Sequence, residues 1–201
     1  MTKGQDTQEA IIEAALRLFV NQGYHGTSMR QIAEASGLQP SSLYNHFDGK
    51  EQIFIAIINK HHPYHEILPI LESAQGEDAE ELFRDVATRA YNVVRQNQEI
   101  LHLLFIEMVE FDGRHFGHLF NQLSPRIFPF LNKLRKARGS LRRINPANML
   151  LSIMGLVMSQ WILEAVFLRN IKLPGTSKHF EDALDIYLHG VLLPHQETHN
   201  G

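Results

Sequence analysis

The chain of 201 residues contains no cysteine. That excludes disulfides, thiolate metal sites and a cysteine nucleophile. It has one tryptophan and no run of alternating β-branched residues, so nothing in it asks for a sheet. It also lacks low-complexity tracts and internal repeats of 20–50 residues, which sets aside solenoids and linker-like disorder. A surplus of positive charge is missing too: 19 Lys and Arg stand against 22 Asp and Glu, for a formal net charge of −3. Residues 1–50 show no basic patch, because Lys3, Arg17, Arg30 and Lys50 are offset by Asp6, Glu9, Glu13, Glu34 and Asp48. Any case for a nucleic-acid partner must therefore rest on residue order.

The polar start Met1–Thr7 has no apolar h-region, so no signal peptide is expected. The longest apolar stretch, Met149–Leu168, has the length of a membrane span. It is interrupted by Ser152, Ser159, Gln160 and Glu164, and a carboxylate is costly in lipid. We read it as a buried helix of a soluble bundle, with no membrane partner and a cytoplasmic location. Apolar residues make up 44% of the chain, enough for a real core.

Helical periodicity runs through the whole chain. A first helix over about Thr7–Asn21 places Ala10, Ile11, Ala14, Ala15, Leu18 and Phe19 on one face, and Gly23 stops it. The connection Gly23-Tyr24-His25-Gly26 offers two glycines free to take positive φ. Ser28 followed three residues later by Gln31 has capping-box spacing, and Gly37 suits a left-handed helix end. A third, short helix opens at Gln39-Pro40-Ser41-Ser42, where proline is tolerated in the first turn. Leu43 and Phe47 point it inward, leaving Ser42, Tyr44, Asn45 and His46 to face outward. A fourth helix starts near Lys50 and runs to about His62-Pro63.

Further helices are expected over Ala79–Asn97, Ile100–Phe111, 115–138 with breaks near Pro125 and Pro129, and Asn145 to about Asn170. Pro174-Gly175-Thr176-Ser177 forms a turn before a last helix to about Leu193. The fold class is all-α: an N-terminal three-helix helix-turn-helix domain over 1–50, with helix 4 as a link, and a C-terminal helical-bundle domain over 51–201. In helix-turn-helix order, the first short helix braces across the DNA backbone and the second presents its start to base edges.

The run Gly23–Ala33 and the run Gly37–Glu51 resemble, in order and without a gap, the N-terminal signature of the tetracycline-repressor (TetR) family. The resemblance covers roughly residues 8–58. It implies that Thr27 and Ser28 hold a phosphate, that Arg30 reaches a phosphate or a base edge, and that Gln39, Pro40, Ser41, Ser42 and Asn45 lie at the major groove. Tyr44, His46 and Lys50 would bind phosphate oxygens. It implies double-stranded DNA as partner, a homodimer on a palindromic operator, repressor action relieved by an unidentified small-molecule effector, and no cofactor. The Pro-Ser-Ser at 40–42 lacks the strong base reader the family often carries there, which leaves Gln39, Asn45 and Arg30 to supply direct readout.

For dimerisation, the two last helices carry more apolar surface than a monomer hides. Gly155 and Ser159 permit close helix approach, with Ile162, Leu184, Tyr187 and Val191 extending the face. For the ligand, Phe105, Met108, Phe111, Met154, Met158, Trp161 and Phe167 are candidate lining. Glu107 and Glu164 stand in apolar surroundings, where a carboxylate needs a partner: a cationic ligand, or an internal Arg89, Arg95 or Arg169. Residues 113–143 are basic without one acid, and the acid-rich stretch Glu77–Asp112 could neutralise them. The groups His61, His62, His65 and Glu66, and His115 with His118, are read as surface histidines with no metal. No nucleophile–base pair converges, His102 with Glu107 being the nearest, so no enzyme is expected.

Overall fold

The computed structural model describes residues 3–137, 145–169, 171 and 178–191. Every regular element among them is helical: α1 Lys3–Gln22, α2 Met29–Ala35, α3 Pro40–Tyr44, α4 Lys50–His61, α5 Tyr64–Glu72, α6 Ala79–Gln96, α7 Gln98–Phe111, α8 Arg114–Lys136, α9 Pro146–Ile162 and α10 His179–Val191. A π-helical turn, Leu163–Leu168, continues α9. The chain forms two compact units. The first is residues 1–63 with 98–120, and the second is 64–97 with 121–201.

In the first unit α1 packs on α2, α4 and α7, and α2 on α3. The core is built where the apolar periods meet: Ile11, Ala14, Ala15, Phe19, Ile32, Leu43, Phe47, Ile53, Phe54 and Ile57 are buried. An aromatic cluster ties three elements together. The Tyr24 ring lies 5.2 Å from both Phe19 and Phe111, and Phe54 stacks on Phe111 at 5.0 Å. Such pairs add about 0.5–1.5 kcal/mol each beyond the area they bury.

In the second unit α6 packs on α5, α9 and α10. Asp78 caps α6 by accepting from the Glu81 N–H, 2.9 Å. Tyr91 and Phe180 stack with ring centroids 4.0 Å apart. Met149, Ile153, Val157 and Trp161 turn one stripe of α9 inward. The opposite side, with Leu151, Met154 and Leu163, is exposed, so this helix is amphipathic in the single chain rather than buried all round. The stretch Asn148–Leu168 has the length and composition of a membrane span, but its stripe of core contacts is that of a bundle helix.

Two further expectations change. The proline positions 125 and 129 do not break α8, which runs through both. Pro125 removes one N–H, and the Asn121 carbonyl left without it accepts instead from the Ser124 hydroxyl at 3.1 Å. Gly23 takes a positive φ of 79°, but Gly26 does not. Gly26 is needed for space: a Cβ there would lie 2.2 Å from the Gln22 carbonyl oxygen. The turn at Pro174–Ser177 and the tail beyond Val191 lie outside the described residues.

Gly26→Ala is expected to destabilise the protein by about 1–3 kcal/mol in urea unfolding, because a backbone atom must give way. Gly4→Ala, with nothing near its Cβ, serves as the control and leaves stability unchanged or slightly raised. Equal stability of the two variants would contradict the close approach.

Candidate nucleic-acid interface

The candidate interface is assembled by local hydrogen bonds that the sequence spells out. Ser28 caps α2 reciprocally: its hydroxyl accepts from the Gln31 N–H at 3.2 Å, and its own N–H donates to the Gln31 side-chain oxygen at 2.8 Å. The helix ends in a Schellman motif. The Leu38 N–H reaches the Ala33 carbonyl at 2.8 Å, the Gly37 N–H reaches Glu34 at 3.1 Å, and Gly37 sits at φ 73°. Gln39 then leads into α3 in extended conformation, with Pro40 at the first helical position. This reverses the chain between two short helices within four residues.

Inward anchors decide what is left outside. Leu43 is fully buried and Phe47 nearly so. The positions before and between them are turned the other way: Gln39, Pro40, Ser41, Tyr44 and Asn45 are exposed, while Ser42 and His46 are half-buried. Arg30 and Ser28 are exposed on the first turn of α2. Tyr44, at 52% exposure, is a large aromatic ring held out in solvent beside three polar side chains.

Two residues assigned to phosphate are used differently here. Thr27 is only 2% exposed. Its hydroxyl donates to the Gly23 carbonyl at 2.9 Å and receives the Gln22 amide at 3.3 Å, so the side chain closes the α1–α2 turn instead of facing outward. Lys50, at the start of α4, donates from Nζ to the carbonyls of Tyr24 at 2.5 Å and Thr27 at 2.8 Å. The same ammonium lies 4.1 Å from the centroid of the Tyr24 ring. Burial pushes the Lys50 ammonium down from its ordinary range, with Glu110 opposing the shift, and burial pushes the Tyr24 phenol up. Lys50 is therefore a clamp on the turn that carries Ser28.

The same unit carries a second polar network. Glu107 is 0% exposed and is satisfied by His115, whose backbone N–H donates at 2.7 Å and whose Nδ1 lies at 2.9 Å. Its partner is thus neither a ligand nor an arginine. His115 Nε2 is 3.3 Å from Glu51, which also pairs with Arg114 at 3.0 Å. His25 Nε2 meets Glu110 at 2.5 Å. At the α1–α4 contact Lys60 pairs with Glu9 and Glu13, and His61 meets Glu13 at 3.0 Å. The hydrogen bond from Lys60 is the main reason the Glu13 carboxyl is lowered.

The residues named for ligand and dimer fall in both units. Phe105 and Met108 are exposed on α7, whereas Phe111 belongs to the aromatic core described above and is no pocket wall. In the second unit Trp161 is buried core, Met154 and Phe167 are exposed, and Met158 is half-buried. Glu164 is held by Arg95 at 2.8 Å and accepts from the Tyr91 hydroxyl at 2.5 Å, with His179 3.0 Å from the same hydroxyl. Burial, then that bond to Glu164, pushes the Tyr91 phenol well up. Of the three arginines named for this carboxylate, Arg95 is the one used; Arg89 pairs with Asp85.

Leu184 is 1% exposed and turned into the core, so it is not on an open face. Gly155 and Ser159 are exposed, and Ile162 and Tyr187 are half-buried. Leu151 and Ile186, apolar residues of the same two helices, are exposed, Ile186 at 76%. Val191 closes α10. In the basic stretch, Arg114 and Arg126 are paired with Glu51 and Glu72, not with the acids of 77–112, and Arg138, Arg142 and Arg143 lie outside the described residues. No group of three metal-ligating side chains occurs among the described residues.

Comparison with known proteins places this geometry. Residues 11–57 match the family model described as bacterial regulatory proteins, tetR family. The transcriptional regulator LmrA of Bacillus subtilis is 48% identical over 60 residues, which are 29% of this chain and 32% of LmrA. TtgR of Pseudomonas putida, also a transcriptional regulator, is 30% identical over 107 residues, 50% of this chain and 51% of TtgR. The chain thus spans a third to a half of the curated relatives it matches. Over the full length the likeness is one of fold. NalD of Pseudomonas aeruginosa, the secondary repressor of the MexAB-OprM multidrug efflux pump, superimposes with a TM-score of 0.69 at 21% identity, covering 96% of this chain and all of NalD. Residues 11–57 thus match the tetR family of bacterial regulatory proteins, and the chain as a whole shares its fold with NalD.

Proposed function

We propose that this transcriptional regulator is a repressor that binds a palindromic operator as a homodimer and is released by a small-molecule effector. Residues 1–50 would form the DNA-reading head and 51–201 the regulatory and dimerising part. The observation that carries the reading is the set of exposed polar side chains over 39–45, held outward by the buried anchors Leu43 and Phe47. Gln39 and Asn45 are amide groups able to bond adenine bidentately, and Arg30 is able to reach guanine, contacts that discriminate by about 1–3 kcal/mol each. Ser28, Ser41, Ser42, Tyr44 and His46 would serve phosphates. The start of α4 has no side-chain cap, so its N–H groups suit an anion, and Lys50 would add charge there while holding the turn.

Dimerisation is proposed along the exposed side of α9 with α10: Leu151, Gly155, Ser159 and Ile162, continued by Leu163, Tyr187 and Ile186. Two small residues one turn apart let a second copy approach closely, and a two-fold axis is what a palindromic site requires. Reading helices about 34–36 Å apart would then meet successive major grooves. The effector would act on the second part of the chain, where Met154 and Met158 remain within reach of solvent. The repressor sense is argued from NalD, named as one.

The test is fluorescence anisotropy on a labelled duplex carrying the region upstream of this protein's own gene, with unrelated DNA as competitor. Saturable, competitor-resistant binding is expected. Tyr44→Ala combined with Asn45→Ala should weaken it at least about tenfold, with the thermal midpoint unchanged because both side chains are exposed. Full affinity in the double variant would remove α3 as the reader.

The interface has its own check. Light scattering at micromolar concentration should give a dimer for the wild type and a monomer for Leu151→Asp with Ile186→Asp. The monomer should also bind the duplex at least about tenfold more weakly, since half of the phosphate and base contacts are lost. A monomeric wild type, or a variant that stays dimeric, would move the interface elsewhere.

A further inference from the structure

We propose that His115 is a proton-dependent positioning residue for the DNA-reading head, acting through Glu51 on the start of α4. The inference rests on the DNA-binding reading but adds a site outside the helix-turn-helix. His115 lies at the first turn of α8, just past a tight corner in which Asp112 and Gly113 both have positive φ, 54° and 75°. Each of its ring nitrogens faces a carboxylate from a different helix. Nδ1 is 2.9 Å from Glu107 of α7, and Nε2 is 3.3 Å from Glu51 of α4. Carboxylates only accept, so both contacts are hydrogen bonds only when the ring carries both protons.

The rest of its surroundings is apolar or already paired. The Phe111 ring of α7 and the Phe54 ring of α4 lie 4.7 and 6.2 Å away. Arg114, on its own helix, binds the same Glu51 oxygen. Glu110 on α7 is taken by His25. When the ring loses one proton, the two contacts are not lost equally. Glu107 is fully buried and receives both the backbone N–H and the ring Nδ1 of His115, so the Nδ1 proton stays. Nε2 then turns a lone pair toward the Glu51 carboxylate, and the tie becomes a repulsion.

Glu51 directly follows Lys50, whose ammonium holds the carbonyls of Tyr24 and Thr27. Thr27 precedes the Ser28 cap of α2. The charged imidazole therefore fixes the first turn of α4, and with it the turn on which α2 is mounted. The doubly protonated state, favoured at low pH, is the one with the head held. Operator affinity is expected to fall as pH rises and the second ring proton is lost.

Two readouts test this over about pH 5.5 to 8.5. In the free protein, nitrogen-15 NMR should show His115 with both ring nitrogens protonated at the acidic end and Nε2 losing its proton on the way up. The backbone amides of Lys50, Glu51 and 24–31 should shift with the same midpoint. With the upstream duplex, the wild type should bind on the order of fivefold more weakly at the alkaline end, the low end of typical inter-site coupling. His115→Gln and Glu51→Gln should each flatten that profile. Glu51→Gln leaves the buried Glu107–His115 pair intact and covers the case in which His115→Gln fails to fold. His25→Gln, at an exposed partner of Glu110, should leave the slope in place.

A ring carrying one proton throughout the range, amides that ignore its titration, or a slope that survives Glu51→Gln would each overturn the proposal. If the wild type bound no duplex at any pH, the DNA-binding reading would fail on that arm, and the NMR arm would still decide whether His115 positions the head.

Discussion

A half-buried lysine ammonium sets the geometry of the N-terminal unit. Lys50 gives up part of its hydration to bind two backbone carbonyls from a turn more than twenty residues earlier. The Tyr24 carbonyl also accepts from the Thr27 N–H at 3.3 Å, and the ammonium adds a charged donor to it and to the Thr27 carbonyl; an acceptor left unpaired on burial costs about 1–3 kcal/mol. The neighbouring features follow from closing that turn. Thr27 folds its hydroxyl inward, Gly26 dispenses with a side chain, and Tyr24 lays its ring under the ammonium and against Phe111. A lysine first assigned to phosphate is thus also the link by which α4 dictates where α2 begins.

This explains how a head without surplus positive charge can be specific. A strongly basic surface attracts any duplex and gives a steep salt dependence. Here Arg30 is the exposed cation on the two short helices, Glu34 is exposed beside it with the opposite sign, and the exposed residues over 39–45 are neutral. Affinity must come from exact placement of amides, hydroxyls and one phenol, so rigidity matters more than charge. The capping box, the Schellman end and the lysine clamp all supply rigidity. On this reading binding should be modest in strength and shallow in its salt slope.

The parts legible in the sequence were those closed by contacts a few residues apart. Ser28 with Gln31, Gly37 after Ser36, and Pro40 after Gln39 each announce a local hydrogen-bond pattern, and each forms as spelled. What stayed hidden depended on distant partners. Glu107 was visible as a carboxylate in apolar surroundings, but its partner sits across a corner eight residues later; the Asp112-Gly113 pair, able to take two left-handed steps, was the available signal. Pro125 looked like a break because proline loses a backbone donor, and the compensating hydroxyl of Ser124 came immediately before it. Leu184 and Ile186 were equally apolar on paper. Only packing against α6 and α9 decided that the first is core and the second is surface.

The second unit follows a related logic with an opposite outcome. α9 is rich enough in apolar residues to be mistaken for a membrane span, yet the single chain buries only the stripe from Met149 to Trp161. The π-helical turn that follows adds one residue to the ladder, as the Arg169 N–H reaching back to the Glu164 carbonyl at 3.1 Å shows. The turn carries Glu164, which meets Arg95 and Tyr91, while Leu163 and Val166 remain outside. The polar network thus fixes the end of α9 internally, and the exposed apolar residues of the turn prolong the side that the single chain leaves open.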